Sequence, residues 1–362
     1  MLRRALQIGQ MVVRNRLVMA PLTTYSSHAD GTIDAAELDF LRRRAAGGFG
    51  VVMTAACYVH PSGHAFEGQW SCADNRYLPS LAQAARAIHE GGALAVLQIH
   101  HGGRQCPTKF VDPPWSASAI PSERPQAPIP REMTESDIDE IIDSFVAAAG
   151  RAQVAGFDGV EIHGANTYLI QQFVSPHSNR RNDGWGLDRL KFPLCLVDRV
   201  LDTLGPRFMV GYRFSPEETE TPGIRWADTE RLLNELCQRP LSWLHVSLSQ
   251  FQSGSLVGEF QDPILARIAD VIKRRVPLIG VGGIKSNDDI VKCLALGADL
   301  VAVGRAAITE PEFASVVETG TPRLKLPAEG AAESLTIPEG LFRRFVATPG
   351  WIDFEERSSV SP

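Results

Sequence analysis

Eight short apolar runs rich in Val, Ile and Leu recur along this chain, each followed by a polar turn and then a longer segment of helical period. They are RLVMAP (16–21), GVVMTAA (50–56), ALAVLQIH (93–100), FDGVEIH (157–163), RFMVGYRF (207–214), WLHVSLS (243–249), VPLIGVGG (276–283) and DLVAVGR (299–305). Continuous apolar runs of this length are what strands buried on both faces look like, and helical crossovers are what connect parallel strands. Helix starts are marked between them: Thr134 with Asp137 and Ser286 with Asp289 have the spacing of a capping box. Gly156 and Gly297 punctuate helix ends before the next strand. Eight such units most economically close into a (β/α)8 TIM barrel, because a closed sheet leaves no unpaired edge. A doubly wound open sheet is the second arrangement compatible with the same rhythm.

At 362 residues the chain fits either two ordinary domains or one large barrel with insertions. Its 44% apolar and 22% charged residues exclude disorder. The net charge of −6 is thinly spread, and the basic triplets Arg42 to Arg44 and Lys273 to Arg275 lie within helix-like segments, so nucleic acid is not an expected partner. Six cysteines without a CxxC pair signal no iron–sulfur cluster, zinc site or disulfide framework, and a reducing cytoplasm is expected. No stretch reaches the roughly 18 apolar residues of a membrane span, and the basic N-terminus MLRRALQIGQMVV lacks a cleavage site, so neither export nor a membrane anchor is expected.

One connection is too long for a simple crossover. Residues 102–133 carry seven prolines (107, 113, 114, 121, 125, 128 and 130), which marks a functional lid or small subdomain inserted after the third strand. A barrel over 1–322 is then followed by an extension, 323–362, that begins with a linker-like PAEGAAES and ends with Phe342, Phe345, Trp351 and Phe354. Such a tail caps the barrel mouth or meets a neighbouring subunit.

In such barrels the chemistry gathers at the C-terminal strand ends, and polar or small residues cluster there. The seventh and eighth runs end in Gly282, Gly283, Gly304 and Arg305, a set suited to a phosphate, with amides free to approach the oxygens and a guanidinium to bind them. The plainer reading of the two glycines is a tight turn. Arg213 and Gln98 interrupt otherwise buried strands, so each needs a polar heterocycle or a satisfied place in the core. His163, Asn166 and Tyr168 follow the fourth strand; spacings of three and five residues put them about 300° and 500° around a helix, so they converge only through a loop. Two donors and a phenol polarise one carbonyl oxygen and deliver a proton. No metal-ligand pattern accompanies the histidine, and no metal is expected.

These residues resemble a known family. MAPLTTY (19–25), QIHHGGR (98–104), HGANTYLIQQFVSPHSNRR.D.WG (163–186), GYRFS (211–215), GVGGI (280–284) and VGRA (303–306) are similar to the old yellow enzyme family of FMN-dependent NAD(P)H oxidoreductases, in order from about Asn15 to about Thr319. The resemblance implies a barrel holding FMN at the strand ends, with Ala20, Pro21, Leu22 and Thr23 against the flavin. It also implies Ala56 and Gln98 on its ring, Arg213 on its N1 side, and Gly282, Gly283, Gly304 and Arg305 on its phosphate. His163 and Asn166 would grip the substrate carbonyl, His163 also touching the flavin, with Tyr168 as proton donor and Tyr25 facing the substrate.

NADH or NADPH would reduce the flavin and leave. An enone, quinone or similar electrophile would then accept hydride from N5 at its β-carbon and a proton from Tyr168 at its α-carbon. A homo-oligomer is expected, and in some relatives an arginine from a neighbour's tail reaches the site; Arg343 and Arg344 are the candidates here. Thr167 and Leu187 replace glycines usual in the family. Two alternatives stay open: oxidative demethylation of an N-methylated amine on the same flavin, and a non-flavin aldolase or isomerase using the phosphate site. The second needs a strand-end base, yet the eight runs contain no lysine.

Overall fold

The computed structural model describes Leu2 and residues 4–356; the last six residues of the expected C-terminal extension lie outside them. Strands β1 (Leu17–Met19), β2 (Val51–Tyr58), β3 (Leu94–His100), β4 (Gly159–Gly164), β5 (Met209–Phe214), β6 (Trp243–Val246), β7 (Leu278–Val281) and β8 (Leu300–Val303) form a closed parallel barrel. Each falls within or overlaps one of the eight apolar runs. The sheet closes between first and last strands, where Val301 pairs with Leu17 and the Ala20 amide donates to the Val303 carbonyl at 3.0 Å. The open doubly wound arrangement is thereby excluded. A helix follows each strand: α1 (Ala35–Ala46), α2 (Leu78–Glu90), α3 (Glu135–Val154), α4 (Lys191–Thr203), α5 (Trp226–Leu236), α6 (Ile264–Ile272), α7 (Asn287–Ala295) and the short α8 (Arg305–Thr309).

Local chemistry sets these boundaries. Thr134 and Asp137 exchange side-chain and backbone hydrogen bonds at the start of α3, and Gly156 and Gly297 take φ of +90° and +102° after α3 and α7, a region that favours glycine. At α7 the reciprocal half differs from the expected box: Ser286 accepts from the Asp289 amide, but Asp289 reaches back to the Lys285 amide.

Side chains alternate in and out along each strand, and the barrel interior is chemically divided. Strands β1, β2, β7 and β8 contribute Val18, Ala20, Val51, Met53, Ile279, Val281, Leu300 and Ala302. In the same alternation β3 to β6 contribute Gln98 and His100, Glu161 and His163, Arg213, and His245 to the upper half. The lower end is stoppered by a hairpin of Leu6–Ile8 and Met11–Val13, whose Ile8 and Val13 pack into the interior cluster. Sequence periodicity did not signal this hairpin, because its strands are three residues long.

The 102–133 insertion is ordered by the NRR.D.WG stretch. Arg181 binds Asp183 through both oxygens and reaches the carbonyls of Ala117 and Met133, while Asn179 donates to the carbonyls of Phe173 and Trp185 at 2.7 and 2.8 Å. The C-terminal extension folds back on the barrel. Leu326 pairs with the Asp353–Glu355 segment, and buried Arg44 of α1 donates to carbonyls of Ala307, Ile308, Leu335 and Thr336. Among the described residues no helix is long and apolar enough to cross a membrane.

Because Ile8 fills the base of the barrel, truncating it leaves a cavity that surrounding strands cannot close. Ile8→Ala is expected to cost about 2–5 kcal/mol, measured as a lower urea midpoint at unchanged slope; a loss under about 0.5 kcal/mol would mean that the hairpin does not seal the interior.

Candidate active site

A cavity of about 600 Å³ opens at the C-terminal strand ends, over the apolar half of the interior. Its wall holds seven of the residues expected to hold a coenzyme: Ala20, Pro21, Leu22, Arg213, Gly283, Gly304 and Arg305. Lys285 and, from the C-terminal extension, Leu324, Lys325, Trp351 and Asp353 also line it. Gly282 and Gly283 take φ of +123° and +71° in the turn after β7. A methyl group on Gly282 would meet the Gln250 amide nitrogen at 2.8 Å, so the tight-turn reading of these glycines holds beside the ligand-facing one. Thr23, Ala56, Gln98, His163 and Gly282 lie outside the cavity wall.

Ala56 sits opposite Gln98 because β2 bulges between Met53 and Ala56. The bulge is held by Thr54, whose hydroxyl donates to the Ala55 carbonyl at 2.9 Å and accepts from the Gln98 amide at 3.2 Å.

Beside the cavity stands a cluster of rings. Tyr168 lies perpendicular to His163, His100 and Phe66, with centroids 5.2, 4.4 and 6.0 Å away, and Phe66 meets Tyr25 edge-on at 6.0 Å. His163 Nδ1 accepts from the Ala165 amide at 3.3 Å, which places the ring proton on Nε2. Burial, followed by the neighbouring His100, Arg213 and His245, holds the imidazole well below its ordinary value, so it is neutral. Burial raises the Tyr168 phenol, which keeps its proton. His100, which the sequence alone does not assign to the site, is pushed down to about 3 by burial alone, with Nδ1 on Gln69 at 3.1 Å. The adjacent His101 is spent on structure, bonded to Ser62 and the Gly103 amide.

Asn166 is exposed and is not bonded to His163. Its Oδ1 accepts from Ser247 at 2.9 Å, Ser247 in turn accepts from Arg213 at 3.3 Å, and the Nδ2 hydrogens are left as donors. Asn166 and Thr167 take φ of +58° and +63°, where glycine is at ease and a β-branched residue is strained. Three glutamines hold Thr167 there: Gln171 accepts from its amide at 3.0 Å, Gln105 donates to its hydroxyl at 2.8 Å and Gln172 to its carbonyl at 2.7 Å. Leu187, the other departure, is 80% exposed at the end of a short helix and causes no such strain.

The C-terminal helix Glu339–Ala347 reaches the same cluster within one chain. Arg344 lies 5.2 Å over the Tyr25 ring, whereas Arg343 turns outward to Glu339.

Residues 2–323 match the model of the NADH:flavin oxidoreductase / NADH oxidase family. The chain belongs to that family. Relatives include the probable NADH-dependent flavin oxidoreductase YqiG of Bacillus subtilis (strain 168), 41% identical over 96% of this chain and 95% of that protein. The NADH:fumarate oxidoreductase of Klebsiella pneumoniae (strain 342) is 38% identical over 91% of this chain, which spans only 37% of that longer protein. Among solved structures, morphinone reductase superposes with a TM-score of 0.76 at 25% identity, covering 89% of this chain and 90% of its own. The old yellow enzyme homologue from Zymomonas mobilis gives 0.79 at 23%, over 89% and 94%, a likeness of fold.

This member of the NADH:flavin oxidoreductase family is an FMN-dependent oxidoreductase drawing on NADH or NADPH. The non-flavin aldolase or isomerase reading falls with that membership. The residues fit the coenzyme. Arg213 Nε is buried without a partner at the cavity, and Gly304 leaves its surroundings open, with nothing nearer than 3.9 Å to an added methyl. Arg305, Lys285 and Lys325 are cations at the rim for which no ion pair is formed among the described residues, facing one carboxylate, Asp353. Glu161 and His245 were not singled out from the sequence. Their signal was present: each polar residue interrupts an apolar run, and Glu161 lies two residues before His163, hence on the same face.

His100, His101, His163 and His245 are all held below the ordinary imidazole value, chiefly by burial. Unfolded, they titrate near 6.5, so below that pH the unfolded chain binds protons that the folded chain refuses. Stability is then lost on acidification by up to about 1.4 kcal/mol per pH unit for each ring. Glu37, raised by burial, and His89, raised by its bond to Asp158, work in the opposite sense but are two groups against four. The melting temperature of the apoprotein is expected to hold from pH 8 to 7 and drop steeply from 6.5 to 5, less steeply in His100→Gln; a flat profile would refute the burial argument. At Thr167, Thr167→Ala keeps the strain and loses the Gln105 bond, while Thr167→Gly releases the strain. Denaturant midpoints should therefore rank glycine above alanine, the reverse order showing that the left-handed backbone costs nothing here.

Proposed function

We propose that this enzyme reduces the activated C=C bond of α,β-unsaturated carbonyl compounds. The observation that carries the reading is a neutral imidazole with its proton fixed on Nε2, set beside a phenol that retains its own proton. FMN, when bound, supplies the two-electron redox chemistry that these side chains lack. The side chains supply the rest. His163 Nε2–H and the Asn166 carboxamide donate to the substrate carbonyl, drawing charge onto its oxygen as the β-carbon is reduced. Because His163 is neutral, it acts as a donor without giving up its proton. Tyr168 then supplies the proton to the α-carbon.

Asn166 stands apart from His163 in this structure, its amide oriented by Ser247. Ser247 thus couples the carbonyl donor to Arg213, the guanidinium that would face the coenzyme. Tyr25, Phe66 and Tyr168 give the substrate an aromatic enclosure, closed on one side by Arg344. The phosphate of FMN would lie among Gly283, Gly304 and Arg305, with Lys325 and Trp351 bringing the C-terminal extension over it.

The protein is expected to purify yellow or to turn yellow with FMN, to bleach with NADH or NADPH under nitrogen, and to reoxidise with cyclohexenone. Bleaching without enone turnover would remove the alkene reaction and leave the oxidoreductase. Tyr168→Phe should bleach normally and reoxidise slowly with the enone. Arg305→Ala, losing charge-assisted bonds of about 1.5–3 kcal/mol, should weaken FMN binding roughly 10- to 150-fold by fluorescence titration; unchanged affinity would place the phosphate elsewhere.

A further inference from the structure

Glu161 is the one acidic residue, and Arg213 the one arginine or lysine, in the eight barrel strands. Both point into the interior, Glu161 fully buried and Arg213 half-buried at the cavity, and nothing above gives Glu161 a task. Its carboxylate is fully buried, yet saturated with donors. Oε1 accepts from Gln98 Nε2 at 2.9 Å; Oε2 accepts from Trp243 Nε1 at 3.0 Å and His245 Nδ1 at 2.8 Å. The fold makes room for this arrangement: Glu161 lies level with Gly211, and a methyl group at Gly211 would overlap the Trp243 indole.

Glu37 shows that donors alone do not hold such a group below its ordinary value. It too is buried and accepts from Thr24, Ser27, Trp70 and the Asp34 amide, but it has no cation beside it, and burial raises its carboxyl. At Glu161 burial acts in the same direction but is overcome by His245, by Arg213 and by the Trp243 bond, and the carboxyl stays below its ordinary value. An anion therefore persists beneath Arg213, one strand away.

We infer that Glu161 is a positioning residue that sets the redox potential of the bound coenzyme, by fixing the amide of Gln98 and by offsetting the positive charge of Arg213. A coenzyme that gains negative charge on reduction is harder to reduce beside a carboxylate and easier beside an unopposed guanidinium. The inference rests on the assignment of FMN to the cavity.

The test compares wild-type holoenzyme with Glu161→Gln and Glu161→Asp by equilibrium reduction against a reference dye, with FMN affinity and rapid-mixing half-reactions measured alongside. Glu161→Gln is expected to shift the equilibrium toward the reduced coenzyme by tenfold or more, equivalent to about 30 mV for a two-electron couple. Its reduction by NADH should accelerate and its reoxidation by enone should slow. Glu161→Asp, which keeps the charge, should stay near wild type in potential. A merely structural role would slow both half-reactions and leave the potential in place. A Glu161→Gln potential that is unchanged or more negative overturns the inference. If Glu161→Gln does not fold, Glu161→Leu carries the same expectation, since an apolar replacement often suits a buried charged site better than a mismatched amide. Failure of the wild type to take up FMN would instead overturn the coenzyme assignment.

Discussion

A guanidinium half-buried at the upper end of a parallel barrel is the constraint around which that half of the molecule is arranged. Arg213 cannot give up its proton, and an unopposed cation at that depth would cost several kcal/mol. The neighbouring strands answer it. Glu161 supplies the opposite charge, Gly211 clears the space through which Trp243 reaches that carboxylate, and His245 closes the other side. The same cation is among the influences keeping His163 neutral and, through Ser247, it orients Asn166. Charge balance inside the barrel and donor geometry at its mouth are thus parts of one arrangement.

The division of the interior gives that arrangement its direction. Apolar side chains of β1, β2, β7 and β8 pack conventionally and form an apolar floor under the cavity, whereas β3 to β6 carry groups that hydrogen-bond. Such a surface would suit an extended aromatic coenzyme with one polar edge and a phosphate tail.

Much of this was legible in the sequence for a physical reason: strands buried on both faces must be apolar throughout, so all eight stood out as runs. The strand-end residues were legible too, because Gln98, Arg213 and His163 break those runs where a barrel opens. Glu161 and His245 break them equally, and alternation by two from His163 and from Ser247 would have placed them on the inner face. What sequence could not carry was pairing across long separations. Arg344 over Tyr25, Arg181 clasping the carbonyls of the insertion, and Arg44 holding the tail all join segments whose spacing says nothing of their contact. Thr167 stands where the family usually has glycine, and what holds it in the left-handed region, Gln105 of the insertion with Gln171 and Gln172 of the helix Leu169–Val174, is again a set of contacts that spacing does not announce.

Closure of the sheet has a temporal consequence. Leu17 finds its partner only at Val301, and at about 5–20 residues per second of synthesis the first strand waits roughly 15–60 s on the ribosome for the last. Throughout that interval the opening hairpin and β1 expose Ile8, Val13 and Val18 with no interior to enter. A nascent chain of this topology therefore needs its early segment shielded, and conditions that slow elongation near the end of the message lengthen the time during which it can associate wrongly.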